Sequence, residues 1–138
     1  MGKRYVLEDQ VGFILRQVSQ RHATIFGGRI NNELTPTQFS AMVKLLGEGP
    51  LSQNLLGRLT AMDAATIKGV IDRLSARGYV DARPAPEDGR MRLIDLTELG
   101  RVVAERAVPI ATAITEETLA PLDDDERKSL LGLLKRLC

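Results

Sequence analysis

Cysteine is almost absent from this chain of 138 residues, and the one present, Cys138, is the last residue. A single cysteine excludes a disulfide framework within the chain and a zinc site built from thiolates. Tryptophan is missing and aromatic residues are only 4% of the sequence. This composition disfavours β-sandwiches and barrels, whose strands favour aromatic side chains. With one histidine, His22, we expect no metal site and no other cofactor.

Charge of one sign is not in excess, because 19 Lys and Arg face 18 Asp and Glu and the net charge is +1. The protein therefore has no global positive field of the kind that attracts nucleic acid or an anionic membrane. Any DNA binding must come from a local arrangement of charges. No stretch approaches the roughly 20 apolar residues that span a bilayer, and the first residues lack the apolar run of a signal peptide. We expect a soluble cytoplasmic protein with no membrane partner.

What is present is a composition that can bury a core, with 43% hydrophobic and 27% charged residues. The length is typical of one domain, so residues 1–138 are interpreted as a single domain. Apolar residues recur every three or four positions from Leu7 to Phe26, which predicts a long first helix that Gly27–Gly28 should end. Thr35, Pro36 and Gln38 form the signature of a second helix start.

Two shorter helices and a hairpin are predicted next. Ser52 is a candidate N-cap for the third helix, and Asp63 for the fourth, which Gly78 should end. The segments Tyr79–Arg83 and Arg90–Leu96 have the composition of two short strands joined by a turn.

Two helices are predicted at the C-terminal end. Thr97–Glu98 opens the fifth, in which Pro109 should bend the axis. Asp123 and Glu126 form a capping pair for the sixth. The sixth helix is apolar over more than one face, which favours a contact between subunits. Its apolar residues are Leu130, Leu131, Leu133, Leu134 and Leu137.

Short helix, tight turn, helix and hairpin is the order of a winged helix-turn-helix. The segments "LTPTQFSAMVKLL", "LSQNLLGRLTAMDAATIKGVIDRLSARGYV" and "PEDGRMRLIDLTELG" resemble the MarR family of bacterial transcriptional regulators in order and spacing. The resemblance implies a mainly helical fold with a small β-hairpin wing, a DNA-binding region at 35–97 and dimerisation helices at 6–30 and 98–138. It also implies a homodimeric regulator, by default a repressor, that binds a palindromic operator in double-stranded DNA.

The fourth helix is predicted to enter the major groove. Small side chains would let its backbone approach the base edges, while Thr66 and Lys68 can form hydrogen bonds with bases or phosphate. Asp72 repels phosphate and is expected towards the groove exit. The alternative is the solvated face of an ordinary helix. The residues predicted to contact DNA from this helix are Ala64, Ala65, Thr66, Lys68, Gly69 and Arg73.

The hairpin carries Asp88-Gly89-Arg90, which matches the wing motif of the MarR family. The resemblance implies that Arg90 enters the minor groove and that Asp88 braces it. A guanidinium suits the narrow, electronegative minor groove of AT-rich DNA, and Arg92 is expected to contact phosphate. A surface hairpin with paired charges is the alternative.

Phosphate contacts are also predicted at the start of the third helix, where free N–H groups and the helix dipole attract anions. Ser52, Gln53 and Asn54 lie there, although Ser52 acting only as a cap is equally compatible. Arg58, Arg73 and Arg77 are further phosphate candidates.

The segment "QVGFILRQVSQRH" is similar to the start of MarR-type regulators of aromatic acid breakdown. The resemblance implies an effector cleft between the dimer helices and the winged region, taking a small aromatic acid or an acyl thioester. Arg16 and His22 would meet the carboxylate, and Phe13 and Met42 would supply apolar walls. A packed, hydrogen-bonded residue is the alternative for a lone histidine.

Catalytic motifs are not found: the sequence has no Gly-rich phosphate loop, no His-Glu-x-x-His and no nucleophile with a recognisable base. We therefore predict no catalytic residues and no enzyme activity. A winged-helix module that binds only proteins remains the alternative, which the near-neutral charge permits. DNA retention that weakens steeply with salt would distinguish the regulator from this module.

Overall fold

The computed structural model describes residues 2–31 and 33–138. After a short 3₁₀ turn at Leu7–Asp9, these residues form six helices and three strands. The helices are α1 (Val11–Ile30), α2 (Pro36–Glu48), α3 (Gln53–Leu59), α4 (Ala64–Ala76), α5 (Glu98–Thr118) and α6 (Asp124–Lys135). The strands are β1 (Leu51–Ser52), β2 (Val80–Pro84) and β3 (Arg92–Leu96). The predicted mainly helical fold with a hairpin wing is confirmed.

The chain divides into two compact units, one made of residues 1–29 and 111–138 and the other of residues 30–110. The second, which we call the winged unit, contains α2, α3, α4, the sheet and the start of α5. It therefore encloses the predicted DNA-binding region 35–97. The first, which we call the helical unit, contains most of α1, the end of α5 and α6. None of the helices formed by the described residues is long and apolar enough to cross a membrane.

Helix starts follow the predicted caps. At the start of α2, the Thr35 hydroxyl accepts the Gln38 N–H, and the Gln38 side chain accepts the Thr35 N–H. Asp123 and Glu126 make the same reciprocal pair at the start of α6. Each pair satisfies two donors that the helix itself leaves without partners. Local sequence therefore decides where these helices begin.

The end of α1 differs from the prediction. The helix does not stop at Gly27–Gly28 but continues to Ile30, and Asn31 ends it with a left-handed backbone of φ 54°. Ile30 is only 5% exposed. Burying such a side chain contributes about 1.5–3 kcal/mol, which offsets a cost of about 1 kcal/mol for each helical glycine.

The sheet is antiparallel, with β3 between β1 and β2. In the hairpin Val80 lies opposite Leu96 and Pro84 opposite Arg92. On the other side of β3, Leu51 of β1 lies opposite Ile94. Strand β1 was not predicted, because two residues carry no periodicity.

The core of the winged unit lies among α2, α3 and α4. Ile67, Ile71 and Leu74 are buried on one side of α4, as their spacing predicts. The largest fully buried side chains are Met42, Leu45, Leu56, Ile67 and Leu74. Since these come from three successive helices, the core fixes α4 against α2 and α3.

The helical unit leaves apolar side chains exposed on two of its helices. On α1 these are Val11, Ile14, Leu15 and Val18; on α6 they are Leu131 and Leu133, and Leu137 follows the end of α6. Single exposed apolar residues are ordinary, but a cluster on adjacent helices is typical of a surface that associates.

The start of α5 lies against the backbone that leads into β2. The Thr97 N–H donates to the Tyr79 carbonyl at 3.0 Å, and the Thr97 hydroxyl donates to the Gly78 carbonyl at 2.6 Å. A Cβ at Gly100 would overlap the Tyr79 carbonyl oxygen. Only glycine permits this approach without moving the backbone.

We therefore expect Gly100→Ala to lower the free energy of unfolding by about 2 kcal/mol or more, because overpacking a rigid backbone contact forces it apart. The matched control is Gly47→Ala in α2, where a Cβ meets nothing within 4 Å and alanine is the better helix former. Urea denaturation followed by circular dichroism measures both. Equal stabilities for the two variants would contradict the assigned close contact.

Candidate functional site

The turn between α3 and α4 sets how α4 is presented. Ala61 has a left-handed backbone with φ 55°, a conformation that costs an alanine roughly 1–2 kcal/mol. The Met62 N–H donates to the Gly57 carbonyl at 2.8 Å. A Cβ on Gly57 would lie 3.0 Å from Cγ2 of Ile67, so glycine allows the two helices to approach closely. The turn is therefore fixed by backbone contacts and not by long side chains.

Asp63 caps α4, as predicted. Its Oδ1 accepts the Thr66 N–H at 2.7 Å. Hydrogen bonds from the Thr66 side chain and backbone lower the pKa of Asp63 from its ordinary value of 3.8, because they favour the charged carboxylate. The carboxylate also lies at the positive end of the helix dipole.

The outward face of α4 is open to solvent. Ala64, Ala65 and Thr66 are exposed in its first turn, and further along Lys68, Asp72 and Arg73 are exposed. This is the face opposite the buried residues of α4. Five of the six residues predicted to contact DNA from this helix are thus exposed, and the sixth, Gly69, is half-buried among them. We call the surface formed by these six residues and Asp72 the α4 face.

Two charged residues of the α4 face are paired. Lys68 Nζ lies 2.8 Å from Asp72 Oδ2, one helical turn away. The hydrogen bond to Asp72 and its charge raise the pKa of Lys68 from its ordinary value of 10.5. Asp72 was expected towards the groove exit; in the structure it neutralises the lysine of the same face.

Arg73 lies back along the helix. Its Nη1 would be 3.3 Å from a Cβ at Gly69, so the guanidinium occupies the space that a side chain at position 69 would fill. No described residue, in 2–31 or 33–138, forms a hydrogen bond or ion pair with the Arg73 guanidinium. The sequence suggested that Gly69 lets the helix backbone approach the base edges closely. In the structure the Arg73 side chain lies over part of the space that the glycine leaves.

The tip of the wing is held by backbone contacts. Asp88 Oδ1 accepts the Arg90 backbone N–H at 3.0 Å, and the Met91 N–H donates to the Asp88 carbonyl at 3.1 Å. Asp88 therefore braces the backbone of Arg90 and leaves its guanidinium exposed. The Arg92 guanidinium donates to the Ala82 carbonyl across the hairpin at 3.3 Å, which leaves its other donors available.

The base of the wing carries an ion pair that the sequence did not reveal. Arg83 Nη2 on β2 lies 2.6 Å from Asp95 Oδ2 on β3. The Asp95 side chain is only 17% exposed, and its other oxygen accepts the Leu96 N–H at 2.9 Å. The strand register was needed to find this pair, because twelve positions separate the two residues.

The predicted phosphate contacts around α3 and α4 differ in availability. Ser52 Oγ accepts the Leu55 N–H at 3.2 Å, so it caps α3, and Asn54 beside it is exposed while Gln53 is half-buried. Arg77 is already occupied. Its guanidinium donates to the Glu33 carbonyl and to the Tyr79 hydroxyl, and it lies 4.7 Å from the centroid of the Tyr79 ring.

The predicted effector residues fall in both units. In the helical unit the Arg16 guanidinium lies 5.8 Å from the centroid of the Phe13 ring, so these two meet. His22 Nδ1 is 2.9 Å from Thr118 Oγ1 on α5. Met42 belongs to the winged unit, where its side chain is completely buried. A role for these four in ligand binding stays a prediction.

His22 also borders an open groove of about 350 Å³ within the helical unit. Apart from His22, Ser19, Thr115 and Thr118, its walls are aliphatic: Leu15, Val18, Leu119, Leu130, Leu131 and Leu134. The guanidinium of Arg21, on α1, donates to the carbonyls of Glu117 and Thr118. It thereby caps the C-terminal end of α5. The sequence did not reveal this contact, which joins residues almost 100 positions apart.

Comparison with known proteins gives the class of this chain. Residues 32–91 match the MarR family. NicR, an HTH-type transcriptional repressor of Pseudomonas putida, is 38% identical over 134 residues, which are 96% of this chain and 85% of NicR. The crystal structure of a probable transcriptional regulator from Pseudomonas aeruginosa is 51% identical, with a TM-score of 0.91 over 96% of this chain and 100% of that one.

A further solved structure is that of BpsR of Bordetella bronchiseptica, whose DNA binding is regulated by 6-hydroxynicotinic acid. It is 38% identical, with a TM-score of 0.93 over 98% of this chain and 97% of that one. This chain belongs to the MarR family of winged helix-turn-helix transcriptional regulators. The family that the sequence motifs predicted is confirmed.

The lowered pKa of Asp63 predicts a pH-dependent cap. Because the folded-state pKa lies below the unfolded value, the contribution of the carboxylate is fully present above about pH 4 and is lost as the pH falls through the folded pKa. Asp63→Ala should therefore lower Tm at pH 7, and its deficit relative to the unmodified protein should shrink in more acidic buffers.

Asp63→Asn is the matched control, since asparagine caps a helix but does not titrate. Thermal unfolding by circular dichroism at pH 7, 5 and 3 compares the three proteins. A Tm deficit of Asp63→Ala that is the same at every pH would show that the carboxylate charge does not contribute.

Proposed function

We propose that this chain is a ligand-responsive repressor that binds a palindromic operator as a homodimer and is released by a small aromatic acid or its thioester. It acts by binding and not by catalysis, in the cytoplasm where its operator lies. The observation that carries the proposal is the joint exposure of the α4 face and of Arg90 within one winged unit. The similarity to NicR, a transcriptional repressor, supports the sign of regulation.

The contacts with DNA divide between two grooves. The α4 face enters the major groove, where Ala64 and Ala65 keep the helix close to the base edges and Thr66 offers a hydroxyl and a methyl. Arg90 reaches the minor groove from the wing, with its backbone held by Asp88. Arg92 and the start of α3 at Ser52–Asn54, where only Asn54 is fully exposed, contact phosphates and fix the register.

The homodimer is supported by the exposed apolar side chains of α1 and α6. A second copy related by a two-fold axis would cover the same surface on both subunits, which is how most soluble homodimers associate. Two copies of α4 then meet successive major grooves whose half-site centres lie about 10 base pairs apart.

The effector is a small aromatic carboxylate. BpsR responds to such a compound, 6-hydroxynicotinic acid, and this chain offers a guanidinium at Arg16 beside the ring of Phe13. A guanidinium pairs with a carboxylate through two parallel hydrogen bonds. His22, half-buried and hydrogen-bonded to Thr118, completes the set of residues that we assign to the effector.

The decisive experiment is the selection of bound sequences from random duplex DNA by the purified protein. A recovered inverted repeat establishes specific binding and the two-fold dimer together. Retention of random DNA only, without a recovered sequence, would exclude the repressor. Failure to retain DNA even at low salt would favour the protein-interaction module.

Arg90→Ala should weaken binding to the selected duplex by about 1–3 kcal/mol and relax its preference for AT-rich flanks, because the minor-groove guanidinium is lost. Arg101→Ala is the matched control, an exposed arginine on α5 outside the wing. Fluorescence anisotropy at fixed salt measures both. An affinity of Arg90→Ala equal to that of the control would remove the wing from the mechanism.

The effector is tested by titrating benzoate, hydroxycinnamates, pyridine carboxylates and coenzyme A thioesters into the protein–DNA complex. A compound that prefers the non-binding state 100-fold shifts the equilibrium by about 2.7 kcal/mol, enough to release the DNA. Arg16→Ala and His22→Ala should raise the concentration needed for release. Arg29→Ala, which removes an arginine of α1 that pairs with Glu117, should not. Release that both variants leave unchanged would reject these residues.

A further inference from the structure

Two long cationic side chains on α4 differ in their availability to DNA. The Lys68 ammonium is already bound to Asp72 at 2.8 Å. The Arg73 guanidinium has no polar partner among residues 2–31 and 33–138, so all of its N–H donors are open. A base edge that meets this helix therefore meets one cation that is already ion-paired, Lys68, and one that has no polar partner, Arg73.

Gly69 decides where the unoccupied cation lies. Successive helical residues turn by about 100°, which places Gly69 near the middle of the α4 face, opposite Ile67, Val70 and Ile71. Arg73 starts nearer the edge of that face. Because position 69 has no side chain, the guanidinium folds over it, with Nη1 3.3 Å from where a Cβ would be. The charge of Arg73 is thereby carried from the edge towards the middle.

The middle and the edge of a groove-bound helix meet different parts of DNA. The middle faces the base edges on the groove floor, and the flanks face the phosphates. At the floor the planar guanidinium matches the O6 and N7 acceptors of guanine with two parallel hydrogen bonds from a rigid fork, whereas an ammonium is a point charge on a flexible stem without that fixed geometry. The position of Arg73 and the hydrogen-bonding geometry of its guanidinium therefore both favour contact with guanine.

We propose that Arg73, seated over Gly69, reads a guanine in each half-site, and that Lys68 does not set the base preference. This inference rests on the proposed function, since it names the base that the α4 face recognises. It differs from the phosphate role that the sequence alone suggested for Arg73. Gly69 acts as a positioning residue, because it acts only through the place that it leaves for the guanidinium.

The test uses the full-length protein and the duplex that it selects from random DNA. Binding is compared for this duplex, for guanine→adenine changes at each position, and for 7-deazaguanine, which lacks the N7 acceptor. The unmodified protein should prefer guanine at one position per half-site by about 5- to 150-fold, the range that corresponds to one bidentate contact. Arg73→Ala should lose this preference, and Arg73→Lys should keep the salt dependence of binding and weaken the preference, because it keeps the charge without the rigid fork.

Gly69→Ala separates positioning from stability. Alanine is the better helix former, so Tm should rise or stay unchanged, while the tight contact of the Cβ with Nη1 shifts the guanidinium and weakens the guanine preference. Lys68→Ala tests the second half of the proposal, since it removes the other cation of the same face: overall affinity should fall, while the guanine preference should remain. Binding of each variant to the selected duplex without base changes also gives its overall affinity.

Two results would overturn the inference. In the first, Arg73→Ala lowers affinity equally for all duplexes and reduces the salt slope by about one, which is the behaviour of a phosphate contact. In the second, Lys68→Ala and not Arg73→Lys removes the guanine preference. Either result leaves the proposed function intact. If the unmodified protein selects no sequence at all, the proposed function fails and the inference fails with it.

Discussion

The packing of α5 against the rest of the winged unit depends on the carbonyl of Tyr79. It accepts the Thr97 N–H, and the first turn of α5 lies over it only because Gly100 has no side chain. The hydroxyl and ring of the same tyrosine hold Arg77, at the end of α4, which also binds the Glu33 carbonyl. The end of α4, the start of β2 and the start of α5 are thus joined through one residue. Within this unit the α4 face and the wing are held as parts of one rigid framework.

Features that depend on neighbours in the sequence were predictable. The caps at Thr35, Asp63 and Asp123 each use an acceptor and a donor three residues apart, so composition at fixed spacing was enough. The αL glycine at Gly78 and the buried stripe of α4 follow from the same local rules. The family resemblance added the wing and its Arg90. Fold and class were therefore accessible without coordinates.

Features that depend on distant partners were not predictable. The end of α1 was misplaced because burial of Ile30 outweighs two glycines. Arg77 looked like a phosphate contact until the structure showed its bonds to Glu33 and Tyr79. The direction in which Arg73 folds depends on side-chain conformation, which spacing alone does not determine. The sequence thus predicted a candidate site on α4 and the wing, while the state of each charged group required the fold.

Under the proposed function, the ion pair between Lys68 and Asp72 also affects how α4 associates with DNA of the wrong sequence. Nonspecific association is driven by cations that displace condensed counterions from phosphates, and a lysine held by its own carboxylate displaces fewer. The net charge of +1 acts in the same direction. A genome presents about 10⁶–10⁹ competing sites, so a regulator with little hold on random DNA keeps more of its molecules available to its target. Fewer copies per cell are then enough to occupy it.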